Sequence, residues 1–338
     1  MYPATYYKNS GSLQVRCTLC PHNCNLLPGE NGRCKTRTNK GGRLYSITYG
    51  LLSAITVDPI EKKPLYHFLP GSSILSIGGL GCNLTCDFCQ NCNISQPDPD
   101  TFSQYPYREP ADIVQKALLQ KDNIGLAYTY NEPTIYYEYM IECAEQLRNH
   151  GLKNVMVTNG FINQEPLKEL LRFMDAFNID LKSFRNDFYR QRSSATLRPV
   201  LDAIAIVASS GVHLELTFLM IPGYNDSPGE WREMIRWIEE NCGADTILHV
   251  SKFFPRHKLN SPPTPTLTME RFMDAARERI HYVYPGNNPQ LDSHTHCPGC
   301  GTILIEREGY KTKVTALTSQ GTCNHCQMKI KGLFNTRL

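Results

Sequence analysis

Fourteen cysteines mark this chain of 338 residues, and twelve of them fall into three tight groups. The groups are Cys17, Cys20, Cys24 and Cys34; Cys82, Cys86, Cys89 and Cys92; and Cys297, Cys300, Cys323 and Cys326. Gaps of two or three residues indicate metal ligation rather than a disulfide framework, which a chain this long does not need in order to fold. Cys143 and Cys242 stand apart on helical segments, where a thiol reads as a small buried hydrophobe.

The middle group carries the most specific chemistry. Cys82, Cys86 and Cys89 form a C-x3-C-x2-C array directly after the apolar run Ile74–Gly78. Three thiolates at this spacing can hold three corners of a [4Fe–4S] cubane and leave the fourth iron open to an external ligand. Gly79 and Gly81 let the backbone pass close to the sulfides. A thiolate from Cys92 would close the open position, so Cys92 is expected beside the cluster; if it ligates, the group reads as zinc instead.

The outer groups read differently. Cys297-Pro298-Gly299-Cys300 and Cys323-Asn324-His325-Cys326 bracket two strand-like stretches, Thr302–Arg307 and Lys313–Leu317. That is the pattern of a zinc ribbon, a closed structural tetrahedron, although a rubredoxin-like iron uses the same spacing. The first group, C-x2-C-x3-C-x9-C, admits zinc, the preferred reading, or an auxiliary [4Fe–4S] cluster, with His22 able to replace one thiol.

Elements must position these groups. The chain is 41% hydrophobic and 20% charged with a net charge of +3, which excludes a disordered chain and a dominant polyanion-binding surface. No apolar run has the length of a membrane span, and the first residues lack the pattern of a signal peptide, so a cytoplasmic protein is expected. Short apolar runs at Ile74–Gly78, Ile124–Thr129, Asn154–Thr158, Ala176–Leu181, Val212–Met220 and Thr246–Val250 alternate with helices. Pro110, Pro133, Pro166 and Pro228 mark helix starts, with Ile113, Ala117 and Leu118 on the apolar face of the first. A last helix is expected over Thr268–His281. Six such units predict an α/β fold, a partial (β/α)6 TIM-like barrel, with the chemistry at the C-terminal ends of its strands. The expected division is 1–73, an N-terminal Cys-rich segment with little regular structure beyond a strand near Leu44–Tyr49; 74–289, the barrel; and 290–338, the ribbon.

The Cys82–Cys89 array resembles that of radical S-adenosylmethionine (SAM) enzymes. The resemblance implies that SAM chelates the open iron and that one electron splits it. The products are methionine and a 5′-deoxyadenosyl radical that abstracts hydrogen. Later strand ends are similar to those of pyruvate formate-lyase activating enzyme. Thr158-Asn159-Gly160 and Asp180-Leu181-Lys182 recur there, and Glu132-Pro133 matches the Gly-Gly-Glu-Pro of many relatives, with Tyr130-Asn131 in place of the glycines. By this resemblance Asn131, Glu132, Thr158, Asn159, Asp180 and Lys182 lie at SAM. His249 is a candidate proton donor or substrate contact, or else a packed strand histidine.

Over the whole chain the Cys-x2-Cys-Pro-His start, the run from Asp58 to Phe68, Pro70-Gly71-Ser72 and Cys89-Gln90-Asn91 resemble the AmmeMemoRadiSam-system radical SAM proteins. Spacing alone makes Asp58–Phe68 a solvated surface loop; the resemblance suggests that it closes over the barrel mouth. It also implies Memo-type and AMMECR-type partners and an electron donor such as flavodoxin or ferredoxin, with nucleic acid only as a substrate. The substrate is left open: a glycyl radical enzyme to be activated, or a small molecule, protein or RNA to be modified. A zinc-rich scaffold without catalysis is the alternative of another class.

Overall fold

The computed structural model describes residues 1–334. Its centre is an eight-stranded sheet of β1 (Ala54–Pro59), β2 (Ser73–Gly78), β3 (Asn123–Tyr128), β4 (Lys153–Thr158), β5 (Ala176–Asp180), β6 (His213–Met220), β7 (Ile247–Lys252) and β8 (Tyr282–Gly286), in that spatial order. β1 is antiparallel to β2 and every later pair is parallel. Helices α1 (Pro110–Leu119), α2 (Tyr137–Asn149), α3 (Gln164–Leu170), α4 (Leu197–Ser209), α5 (Pro228–Cys242) and α6 (Thr266–Arg277) fill the crossovers.

This is the expected α/β partial barrel, longer by a strand at each edge. β8 ends in Pro285-Gly286, and an edge strand tolerates the missing N–H. α4 is a helix beyond those expected, and its Pro199 sits in the first turn, where no helical hydrogen bond is lost. In α1, Val114 faces the core and Leu118 faces solvent, a one-position correction to the apolar stripe.

Alternate strand residues face opposite sides. Leu75, Leu126, Met156, Phe177, Leu216 and Leu248 pack beneath the helices. The interior is more polar, with buried Ser76, Asn178, Thr217, Glu215 and His249.

The Asp58–Phe68 run enters this interior from below. Ile60, Leu65 and Phe68 pack on Ile74, Val155 and Ala176 in the N-terminal halves of their strands, and on Ala127 farther along β3. Asn178 donates to the Pro64 carbonyl at 2.8 Å, and the amides of Tyr66 and His67 donate to Glu215 at 2.9 and 2.7 Å. The run is therefore a plug at the end opposite the cysteine loop, neither a solvated loop nor a cover for the mouth. Its two lysines are matched within the run. Asp58 bonds Lys62 and Lys63 at 2.8 and 2.6 Å and accepts the Tyr130 hydroxyl, while the Lys63 ammonium lies 4.6 Å from the Tyr130 ring centre.

The flanking segments lean on the barrel. Where little regular structure was expected, Tyr2–Pro3, Arg37–Lys40 and Arg43–Ser46 form one antiparallel sheet, and Tyr7–Asn9, Val15–Cys17 and Asn25–Leu26 another. Ala4, Val15, Leu19, Leu26 and Leu44 join the main core. Arg37 reaches both carboxylate oxygens of Glu138 on α2, at 2.6 and 2.7 Å, with both side chains buried. At the other end Thr295–His296, Ile303–Glu308 and Lys311–Val314 make a three-stranded antiparallel sheet. Leu304, Ile305, Ile330 and Phe334 share a core with Tyr66, Ile247, Tyr282 and Tyr284.

The plug makes stability pH-dependent. Burial pushes His67 down to about 3 from 6.5. Its Nε2 bonds the Tyr284 hydroxyl and its Nδ1 the Lys331 carbonyl. Burial would raise Glu215, but hydrogen bonds from His213 and His249 hold it well below 4.5. Both groups bind more protons in the unfolded chain than in the folded one. Stability is thus full above pH 6.5 and falls as pH drops, by about 1.4 kcal/mol per unit for His67 alone. Glu215 adds the same sign of loss below pH 4.5. Urea unfolding between pH 7 and 5 should show this slope, and His67→Phe should flatten it by one proton; equal slopes in both proteins would refute the assignment.

Candidate active site

The cysteine loop leaves the C-terminal end of β2, and groups at or beyond the ends of β3, β4, β5 and β7 hold it. From β3, Asn131 accepts the Gly79 amide at 3.0 Å and donates to the Gly81 carbonyl at 2.8 Å. Beside it Tyr130, at φ +71°, offers its carbonyl to Asn91. From β4, Asn159 donates to Asn83 Oδ1 at 2.9 Å and to Cys82 Sγ at 3.7 Å. Past β5, the Ser193 hydroxyl lies 3.2 Å from Cys86 Sγ, and Arg192 pairs with Asp87 at 2.8 Å. Gln90 donates to the Phe254 carbonyl just beyond β7.

The glycines have another use than the one expected of them. A Cβ on Gly79 would lie 2.4 Å from the Tyr136 ring, and one on Gly81, at φ +89°, would lie 2.6 Å from Thr36 and 2.9 Å from the Cys34 carbonyl. They let the loop press against the β3–α2 connection and the N-terminal segment.

The six residues assigned to SAM by resemblance do surround this loop, in two kinds of setting. Glu132 is buried, and both its oxygens are engaged: Oε1 accepts the Thr134 amide and the Thr134 and Thr158 hydroxyls, and Oε2 accepts the Asn159 amide. Together with Thr158 it fixes where β3 and β4 end. Asn131 and Asn159 touch the loop itself. Asp180 and Lys182 pair at 2.8 Å beside Cys86. His249 sits deeper, inside β7, with Nε2 2.6 Å from Glu215, one carboxylate shared with His213.

Without a metal, burial keeps Cys82 and Cys86 as neutral thiols. Burial, then the charge of Glu132, pushes the Cys82 thiol well above its usual range, and burial takes Cys86 up to about 11 despite nearby Lys182. Lys182 stays protonated: burial opposes its charge, but Asp180 and Cys86 outweigh that. Thiolates form here only when a metal supplies compensating charge. Cys82, Cys86 and Cys89 offer three such ligands, while Cys92 opens the short helix Cys92–Ser95 with its thiol on Asn93. The donor set fits a [4Fe–4S] cluster with one corner left for SAM.

The C-terminal set is of another kind. The Sγ atoms of Cys297, Cys300, Cys323 and Cys326 all lie within 4.8 Å of one another, with Cys297–Cys326 at 3.4 Å and Cys300–Cys323 at 3.8 Å. A tetrahedron of bonds of about 2.3 Å spaces sulfurs at about 3.8 Å, so the set fits a single ion. Arg192 and Ser193, which pin the cysteine loop, were missed in the sequence, where no motif marks them.

The sequence profile of the Radical SAM superfamily matches residues 76–238. The chain belongs to that superfamily and is an enzyme that cleaves SAM reductively. It is 41% identical to an uncharacterized protein of Methanocaldococcus jannaschii over 336 residues, 98% of this chain and 99% of the relative. It is also 21% identical over 219 residues to the 4-hydroxyphenylacetate decarboxylase activating enzyme of Clostridium scatologenes, spanning 60% of this chain and 69% of that one. Among solved structures, a radical SAM methyltransferase from Sphaerobacter thermophilus shares the fold at TM-score 0.50 and 16% identity, over 64% of this chain and 67% of that one. No helix among the described residues is long and apolar enough to cross a membrane.

Proposed function

We propose that the enzyme abstracts hydrogen from a substrate seated between the barrel and the C-terminal module. The observation that carries this is a cavity of about 1070 Å³ that runs from Gln90 on the cysteine loop, past Leu219 and Lys252 at the ends of β6 and β7, to Arg307 and Tyr310. It is large enough for a drug-sized molecule or a peptide loop. When bound, the cluster supplies the electron that splits SAM, and the 5′-deoxyadenosyl radical is the hydrogen acceptor. The chain's own part is to hold the loop by Asn131, Asn159 and Ser193, keep Lys182 cationic beside Cys86, and shield the cavity floor with the plug.

The sequence of the Asp58–Phe68 run supports membership in the AmmeMemoRadiSam branch, and with it Memo-type and AMMECR-type partners, a flavodoxin- or ferredoxin-type donor and a cytoplasmic setting. Zinc is the ion proposed for Cys297, Cys300, Cys323 and Cys326. The likeness to activating enzymes, among them a putative glycyl-radical enzyme activating enzyme of Haemophilus influenzae, favours a second reading, activation of a glycyl radical enzyme.

Anaerobic protein reconstituted with iron and sulfide, then reduced with SAM present, should release 5′-deoxyadenosine. Deuterium should pass into that product from the true substrate supplied among candidate pools with the partner proteins. A glycyl radical signal in a protein partner would select the second reading. A colourless protein holding zinc at Cys82, Cys86 and Cys89 and making no 5′-deoxyadenosine would leave a scaffold.

A further inference from the structure

Cys17, Cys20, Cys24 and Cys34 line one small cavity with His22, Gly32 and Arg37. Among the described residues, no three ligand atoms of this set come mutually within 4.8 Å, whereas the C-terminal four do. A tetrahedral ion needs sulfurs about 3.8 Å apart. A cubane carries its thiolates on four separate irons and spreads them wider. By this measure neither the first group nor Cys82, Cys86 and Cys89 is gathered for a single ion, as the C-terminal four are.

Three further observations fit an anionic cluster there. Arg37 is 1% exposed, and its Nε has no partner although its other nitrogens bond Thr5 and Glu138. An orphaned buried guanidinium N–H on a cavity wall is costly unless something anionic meets it. Gly32 keeps room: a Cβ there would lie 3.6 Å from Cys34 Sγ and 3.9 Å from Cys24 Sγ. His22 is held elsewhere, its Nε2 2.7 Å from the Asn83 carbonyl, so four thiols are the natural ligand set.

We propose that Cys17, Cys20, Cys24 and Cys34 hold a second [4Fe–4S] cluster, ligated at all four corners and seated against the back of the catalytic loop. The preference for zinc drawn from spacing gives way to this geometry. The two sites share a wall: Gly81 packs on the Cys34 carbonyl and Thr36, and His22 bonds the residue after Cys82. With every corner closed, the second cluster has no position for SAM.

The test uses the full chain, reconstituted anaerobically, and the variant C82A/C86A/C89A. The wild type should hold about eight irons and eight sulfides, and the triple variant about four of each. The variant's reduced cluster should give an electron paramagnetic resonance signal that SAM does not shift. An iron-free triple variant carrying two zinc ions would overturn the proposal. Should that variant precipitate, C17A/C20A decides. Iron falling by half, with a SAM-shifted signal retained, supports the second cluster; full iron with the loss of one zinc refutes it. A wild type that makes no 5′-deoxyadenosine while the triple variant keeps four irons would sink the catalytic reading and leave this one standing.

Discussion

Alanine in place of Cys82, Cys86 or Cys89 is expected to drop SAM cleavage to the uncatalysed background, whereas Asn159→Ala should lower it by only about 10–100-fold. The contrast follows from what each side chain does. A lost thiolate removes an anchor of the cluster, and no spare ligand stands ready, because the Cys92 thiol is turned to Asn93. Asn159 anchors nothing itself. It donates to Cys82 Sγ at 3.7 Å and to Asn83 at 2.9 Å, so its removal loosens one ligand and one turn of loop. Ser193→Ala should fall in the same intermediate range, since its hydroxyl meets Cys86 at 3.2 Å. Cys92→Ala should cleave SAM as the wild type does. Measured 5′-deoxyadenosine per chain orders these variants, and a Cys92→Ala as dead as Cys89→Ala would mean that the fourth corner is protein-bound and the site closed.

Ligands were the legible part of this site because coordination fixes local spacing, and local spacing is written in the chain. The parallel strands were legible for a similar reason: buried on both faces, they appear as short apolar runs. What the sequence hid was long-range pairing. Asp58 and Lys63 look like solvated charges until the fold brings Tyr130 over them. The contact of Gly81 with Cys34 cannot be inferred from two glycine-flanked cysteine groups far apart in the chain. Glu132 has a structural task that its motif does not announce: its carboxylate accepts amides and hydroxyls of Thr134, Thr158 and Asn159 and so ties the end of β3 to the end of β4. Arg192 and Ser193 left no trace because one hydroxyl and one guanidinium among many carry no pattern.

The second large effect belongs to the far end of the chain. Cys323→Ser should release the ion held with Cys297, Cys300 and Cys326 and lower the melting midpoint by more than about 10 °C, at about 2–4 °C per kcal/mol. Cys323 is fully buried, so a hydroxyl left there without its ion is itself unfavourable. Ion binding contributes about 10–16 kcal/mol in small zinc modules, comparable to the whole stability of a domain. The damage should spread past the module. Leu304, Ile305, Ile330 and Phe334 cover Tyr66, Ile247, Tyr282 and Tyr284, and the buried Arg307 guanidinium donates to the Tyr66 carbonyl at 2.8 Å. Loosening these contacts frees the plug that Tyr66 and His67 anchor to Glu215. Limited proteolysis should therefore cut the variant first within 295–334 and then near the Asp58–Phe68 run, while the wild type resists at both. Loss of the ion with an unchanged midpoint would show that the module stands on its packing alone.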